Sequence, residues 1–292
     1  MKSKTKGIFC ILFAAFGFSL MSTFVRLAGD LPSFQKAFFR NFVALIFTTV
    51  MILKEKQSLR PKKGNLPFLL CRAFFGSVGL LCNFYAIDHL VLADANMLNK
   101  LSPFFAIVFS IFLLKEKPNF IQILGVLAAF IGSLCIIKPS FVNPDVFPAM
   151  MGLFGGMGAG IAYTFVRKLG SRGEASMLII FFFSAFSCLM CLPFLIFDYT
   201  PMSIYQLGYL ILAGLCACIG QVGITKAYIY APAKEISVYD YTQVIFAALL
   251  GFIFFNQVPD GLSIVGYILI CGAGVAMFLY NRKKEQQVVI KN

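Results

Sequence analysis

Ten apolar stretches separated by short polar ones organise this chain. They lie at roughly 7–27, 34–53, 66–87, 91–114, 119–137, 147–166, 175–197, 205–228, 234–255 and 261–280. Most approach the ~20 residues an α-helix needs to cross the hydrocarbon core of a bilayer. The longest inner connection runs from Lys54 to Asn65, so no soluble domain fits between spans. The pattern predicts an all-α integral membrane protein with ten transmembrane helices.

The pattern also repeats, at an offset of 141 residues. Thr23-Phe24-Val25-Arg26 recurs as Thr164-Phe165-Val166-Arg167, and Gly17, Gly29, Gly79 and Gly125 recur as Gly158, Gly170, Gly220 and Gly266. Pro118 corresponds to Pro259 and Asp94 to the acidic Glu235, with no gap from Leu12/Leu153 to Gly125/Gly266. The expected units are two five-helix repeats, at 7–137 and 147–280. An odd number of spans per repeat makes the second copy enter the membrane inverted, the arrangement of many alternating-access transporters.

Basic residues report orientation. With the N-terminus inside, eighteen Lys and Arg fall in cytoplasmic segments, while Arg26, Lys36 and Lys138 fall outside. This is a strong positive-inside bias, with both termini cytoplasmic. The repeat agrees: the inner stretch from Lys54 to Lys63 is rich in Lys and Arg, and its counterpart from Leu195 to Ile204 has none. The net charge of +13 is thereby explained by topology, without a nucleic-acid partner. The expected location is the cytoplasmic (inner) membrane, surrounded by lipid.

Composition sharpens the class. The chain is 60% hydrophobic and 13% charged, with a mean hydropathy of +0.86. It has 35 Phe and no Trp, leaving Tyr199, Tyr205, Tyr230 and Tyr280 as interfacial aromatics. Lys2, Lys4 and Lys6 before an apolar run resemble a signal peptide, but the run is long and no small-x-small site follows, so a retained first helix is expected. Nine Cys lie almost wholly inside spans. Cys188-x-x-Cys191 has neither a second CxxC nor a paired His, which favours helix packing over zinc. No metal, catalytic residue or cofactor is expected. HExxH and GxSxG are absent, and Tyr239-Asp240 is only half of an intramembrane aspartyl protease signature. Gly152, Gly156 and Gly160, four apart, share one helix face and invite close approach of a neighbour.

Polar residues inside spans are the functional candidates, because a charge at the bilayer centre costs about 2.5–3.5 kcal/mol and should face a cavity or a partner. Span four carries Asp94, Asn96, Asn99 and Lys100 ahead of Pro103. Span nine carries Glu235, Ser237, Tyr239, Asp240, Tyr241, Thr242 and Gln243, with Asn99 matching Asp240 and Lys100 matching Tyr241. These two helices are expected to line a central cavity, with Lys100 and Asp240 placed to pair across it. The alternatives are a purely structural ion pair, or two groups that reach opposite surfaces. Pro103 should loosen span four. Further cavity candidates are Asn83, Tyr85, Tyr163 and Gln221, with Lys226 and Tyr228 nearby in span eight. Asp94, Glu235 and Asp240 are the candidates for proton or ion coupling. Arg40 and Arg72, each about six residues from a span end, are expected to snorkel to the interfaces, and His89 to sit in an exposed turn.

Taken together, the chain resembles the EamA branch of the drug/metabolite transporter superfamily along essentially its whole length. The resemblance rests on the doubled five-span repeat, on Phe38-Phe39-Arg40-Asn41-Phe42, and on the end of each copy. The first copy runs Leu101-Ser102-Pro103-Phe104 to Leu114-Lys115-Glu116-Lys117-Pro118, then Gly125 and Gly132. The second runs Tyr241-Thr242-Gln243-Val244 to Phe255-Asn256-Gln257-Val258-Pro259, then Gly266. Gln257 stands where the family usually has Glu, while Glu116 keeps that carboxylate in the first copy. The resemblance implies transport of small metabolites or drugs, often export of amino acids and related compounds, through a cavity built from both halves.

The expected function is therefore a secondary carrier, and an exporter, of small polar metabolites such as amino acids. It would work by alternating access, with the glycine-rich spans one and six as sliding surfaces. The rivals are a drug or lipophilic-cation exporter, a nucleoside or S-adenosylmethionine type of carrier, a membrane enzyme, and a non-transporting scaffold. A scaffold would need a soluble module or long tail, and the sequence has only twelve residues after Tyr280.

Overall fold

The computed structural model describes residues 2–113, 120–138, 145–230 and 239–291, and every regular element among them is an α-helix. They are α1 (Lys2–Leu27), α2 (Ser33–Lys54), α3 (Leu66–His89), α4 (Leu92–Asn99), α5 (Ser102–Leu113), α6 (Phe120–Ile137), α7 (Val146–Ser171), α8 (Ser176–Phe197), α9 (Ile204–Tyr230), α10 (Thr242–Phe255) and α11 (Gly261–Lys291). Eight of them are long and apolar enough to cross a membrane. Helices are what such a sequence must form in lipid, since each backbone N–H and C=O then finds a partner within its own segment. Large apolar side chains cover the outside, including Phe13, Phe112, Leu189, Phe197 and Ile245, as suits a surface against hydrocarbon rather than water.

Span four is where the structure departs from the expected single helix. It breaks at Lys100 and Leu101 into α4 and α5. The Lys100 N–H still reaches the Asn96 carbonyl at 3.1 Å, but the Leu101 N–H turns to Leu98, three residues back, at 3.2 Å. Pro103 is the second residue of α5, a position where a missing N–H leaves no helical acceptor wanting. Span nine is likewise not one long helix over its described part: Tyr241 forms a turn ahead of the short α10. By the offset of 141, Lys100 and Tyr241 are the same position. α10 stops at Asn256, whose left-handed φ of 52° lets the Gln257 N–H return to Gly251 O at 3.1 Å.

The principal packing pairs are α1 with α9, α3 with α7, α2 with α8 and α6 with α11, and α5 also lies on α7 and α10 on α1. Glycines set the closest approaches. A Cβ on Gly158 of α7 would stand 2.8 Å from the Gly79 Cα of α3. A Cβ on Gly17 of α1 would stand 3.1 Å from the Gly220 N of α9. The glycine stripe of α7 packs as its spacing implied. Gly152 and Gly156 face Leu98, and Gly160 faces Ser102 O and Phe105, so the broken span four is pressed onto α7 at its break. Cys188 and Cys191 are buried among the packing residues of α8.

The three basic residues expected on the outer side are all engaged. Lys36 lies in the first turn of α2, fully buried, with its Nζ 2.6 Å from Asp88 Oδ1. Lys138 pairs with Asp260. The Arg26 Nη1 donates to the carbonyls of Ile87 and Leu90 at the end of α3, and its guanidinium lies 5.1 Å from the Phe255 ring. The repeated Thr-Phe-Val-Arg element also keeps a backbone contact in both copies: Thr23 Oγ1 bonds Ser19 O at 3.0 Å, and Thr164 Oγ1 bonds Gly160 O at 2.9 Å.

Candidate functional site

The break in span four exposes the site. Ending α4 at Asn99 brings Lys100 out of helical register, and its Nζ meets Asp240 Oδ2 at 2.6 Å. Both side chains are largely buried, at 7% and 13% exposure. The pair therefore joins span four to span nine across the molecule, at the turn that each contains. Asp240 Oδ1 has no hydrogen-bond partner among the described residues.

A cavity of ≈ 80 Å³ opens beside Lys100. Asn83, Asn99, Lys100, Tyr163, Gln221 and Gln243 line it, so six of the candidates converge there. A polar network braces one wall. The Gln243 Nε2 donates to Asn96 Oδ1 at 2.7 Å, the Ser22 hydroxyl reaches the same oxygen at 3.3 Å, and the Ser19 hydroxyl caps the Gln243 carbonyl at 2.9 Å. These bonds tie α1, α4 and α10 together. Buried amide groups in lipid hold such positions because an unpaired polar group there is costly.

Four candidates stand elsewhere or are not described. Tyr85 stacks on His89 at 4.1 Å near the end of α3. Tyr239 packs with Ile11 and Ala227, and its carbonyl accepts from the Thr242 hydroxyl. Asp94 accepts from the Tyr267 hydroxyl at 2.6 Å, in a second polar cluster with Arg26, Lys138 and Asp260. Glu235 lies outside the described residues, as does Ser237. In that second cluster Gln257 Oε1 accepts from the Leu92 N–H at 3.0 Å, at the start of α4. An amide oxygen satisfies an orphan helix donor without any charge, which gives Gln257 a role at the family's Glu position. Asp260 begins α11 by accepting from the Ser263 N–H at 2.8 Å, and the Lys138 ammonium beside it holds its carboxyl below the usual range.

Arg40 and Arg72 are corrections to the sequence reading. Neither snorkels. They are 2% and 5% exposed, and both line the cavity. α2 turns Arg40 inward because its neighbour Asn41 bonds the Ser187 hydroxyl of α8 at 2.7 Å, and the Arg40 Nη1 donates to Asn41 Oδ1. Arg72 lies flat along its own helix. A Cβ on Gly76 would stand 2.0 Å from its Nη1, so glycine is what leaves room for the guanidinium. Both cations lie over one ring, Phe183, at 5.8 Å and 4.4 Å from its centroid. The Nε of each has no hydrogen-bond partner among the described residues. A cation–π contact returns about 0.5–2 kcal/mol, whereas burying an ion costs several kcal/mol. The signal for these residues was present in the Phe-Phe-Arg-Asn-Phe motif, but the face each arginine occupies depends on how its helix is rotated against its neighbours.

The geometry is that of a charged, polar cavity between broken apolar helices, and comparison with known proteins gives the class of protein that holds it. The EamA-like transporter family matches residues 5–138 and again 146–280. The chain belongs to that family. The pseudopaline exporter CntI of Pseudomonas aeruginosa is 33% identical over 275 residues, covering 93% of this chain and 95% of that protein. Human solute carrier family 35 member G1 is 27% identical, over 92% of this chain and 78% of its own. The S-adenosylmethionine uptake transporter of Rickettsia prowazekii is 22% identical over 98% and 96%. A solved crystal structure superposes with a TM-score of 0.68 at 16% identity, covering 96% of this chain and 99% of its own, which shows a shared fold. This EamA-like protein is thus a multi-pass membrane transporter of a small molecule, and the membrane-enzyme alternative falls away.

Proposed function

We propose that the protein is a secondary carrier in the cytoplasmic membrane, with both termini cytoplasmic, that exports small polar metabolites such as amino acids. The carrying observation is the Lys100–Asp240 pair, which joins two discontinuous spans beside a polar cavity. Discontinuous helices at a cavity are where transporters expose backbone and charge to a solute without exposing them to lipid. Export is supported by the pseudopaline exporter, the relative with 33% identity.

The two units are 7–137 and 147–280, as inverted five-helix repeats. Reciprocal packing supports this. α1 contacts α9 and α10, and by the offset its counterpart α7 contacts α3 and α5. The glycine contacts exchange in the same way, Gly17 with Gly220 and Gly158 with Gly79. Such an arrangement lets one half rock against the other around a fixed site. Among the described coupling candidates Asp240 is the one paired with a residue that lines the cavity, Lys100.

Reconstitution into proteoliposomes tests the reading. Time-dependent, saturable uptake of a labelled amino acid is expected, with Lys100→Ala and Asp240→Ala each impaired at equal protein content. Full activity in both variants removes the pair from the site.

A further inference from the structure

Resting on that reading of the cavity as the substrate site, we infer that the cargo is a dianion, a small molecule carrying two oxyanion groups held by Arg40 and Arg72. Lys100 has its counter-charge in Asp240. The two arginines have none: among the described residues that line the cavity there are three bases and no carboxylate. Each guanidinium is buried, aimed into the cavity, and has an Nε without an acceptor. Phe183 is shared between them and offers only one ring face to each. Among the described residues no counter-charge covers the cost of burying both cations. A ligand with two oxyanions would cover it.

The geometry of the donors agrees. A guanidinium presents a planar fork that matches carboxylate or phosphate oxygens two at a time. Both groups lie against one phenyl ring, within a small molecule's length of each other. The rest of the wall supplies neutral polar groups at Asn83, Tyr163 and Gln221. The charge is also confined to one half of the chain. At the offset of 141, Arg40 and Arg72 correspond to Phe181 and Ala213, so repetition of the fold does not explain the arginines. A lipophilic cation would meet the wrong sign of charge at this wall.

The test is ligand binding to the purified full-length protein in detergent, by calorimetry and thermal shift. The probes are L-glutamate, L-glutamine, L-lysine, glutarate, O-phosphoserine and serine. Glutamate and glutamine have nearly the same shape and differ by one negative charge. The expected result is that glutamate and glutarate, or O-phosphoserine over serine, bind at least about tenfold tighter than the less charged probes. Preference for the first pair assigns carboxylates, and for phosphoserine alone, phosphate esters. Arg40→Gln and Arg72→Gln should each bring the ratio near one, while Arg40→Lys and Arg72→Lys, which keep the charge, retain most of it. The wild-type ratio stands even where a glutamine variant fails to fold. Glutamine or lysine binding as tightly as glutamate overturns the inference and leaves the amino-acid carrier intact. No binding by any probe at millimolar concentration overturns both.

Discussion

Gly158 meets Gly79 between α7 and α3 where Gly17 meets Gly220 between α1 and α9, and Thr23 and Thr164 make the same bond one turn back along their helices. At the cavity the two halves diverge. Arg40 is answered by Phe181, Arg72 by Ala213, Lys100 by Tyr241 and Asn99 by Asp240. The contacts that hold helices together are matched across the repeat, and the charges that face the cavity are not. Packing between glycines needs only small residues at a fixed spacing, so both halves can keep it. A solute has no such symmetry, and its recognition at the proposed site would place unlike groups on the two walls.

Three perturbations break or sharpen that contrast. The largest effect is expected from Asp240→Ala, which leaves the Lys100 ammonium buried without a partner. Stability should fall by about 3–5 kcal/mol, read from thermal melts in detergent, and Lys100→Ala should remove much of the loss when combined with it. The second concerns the matched contacts. Gly158→Ala drives a Cβ to 2.8 Å from Gly79 Cα and 2.9 Å from Phe75 O, both backbone atoms, whereas Gly17→Ala meets its nearest backbone at 3.1 Å. The first substitution should cost about 1–3 kcal/mol and the second less, by the same melts. Equal losses would mean that the two interfaces are tighter or looser together than the glycine contacts indicate.

The smallest effect belongs to the Lys138–Asp260 pair, whose carboxylate is 56% exposed. Hydrogen bonding from Lys138 depresses the Asp260 pKa, so its contribution is present above the ordinary carboxylate pKa and is lost as pH falls through the depressed value. Solvent screening limits the contribution to about 0.5 kcal/mol or less. Asp260→Asn should flatten that part of the stability curve, measured by melts across a pH series, by lowering neutral-pH stability by no more than that contribution and leaving acid-pH stability unchanged.

Hydropathy made the helices legible, because lipid imposes a length and a composition on each. The offset of the repeat relates the Gly17–Gly220 contact to the Gly79–Gly158 contact, but it does not pair the positions that touch, which depend on how the helices pack. The Lys100–Asp240 contact could be anticipated because both residues fall at equivalent depths in equivalent spans. The break in span four was only half visible. Pro103 marks it, but the helix ends four residues earlier, at Asn99, where α7 and its glycines press against the backbone. Arg40 and Arg72 were misread because sequence distance from a span end measures depth and says nothing of which face is turned inward. The partner of Lys36 was not legible for a related reason: Asp88 comes from a different helix, and nothing local announces it.

As proposed, the Lys100–Asp240 pair belongs to the transport site and is more than a brace between two spans. The double variant Lys100→Ala with Asp240→Ala separates these roles, because removing both charges leaves no uncompensated ion. Its melting and its flux of labelled substrate in proteoliposomes should be measured together. A pair that belongs to the site gives stability within about 1 kcal/mol of wild type with flux reduced at least about tenfold. A double variant that melts and transports like wild type would contradict it.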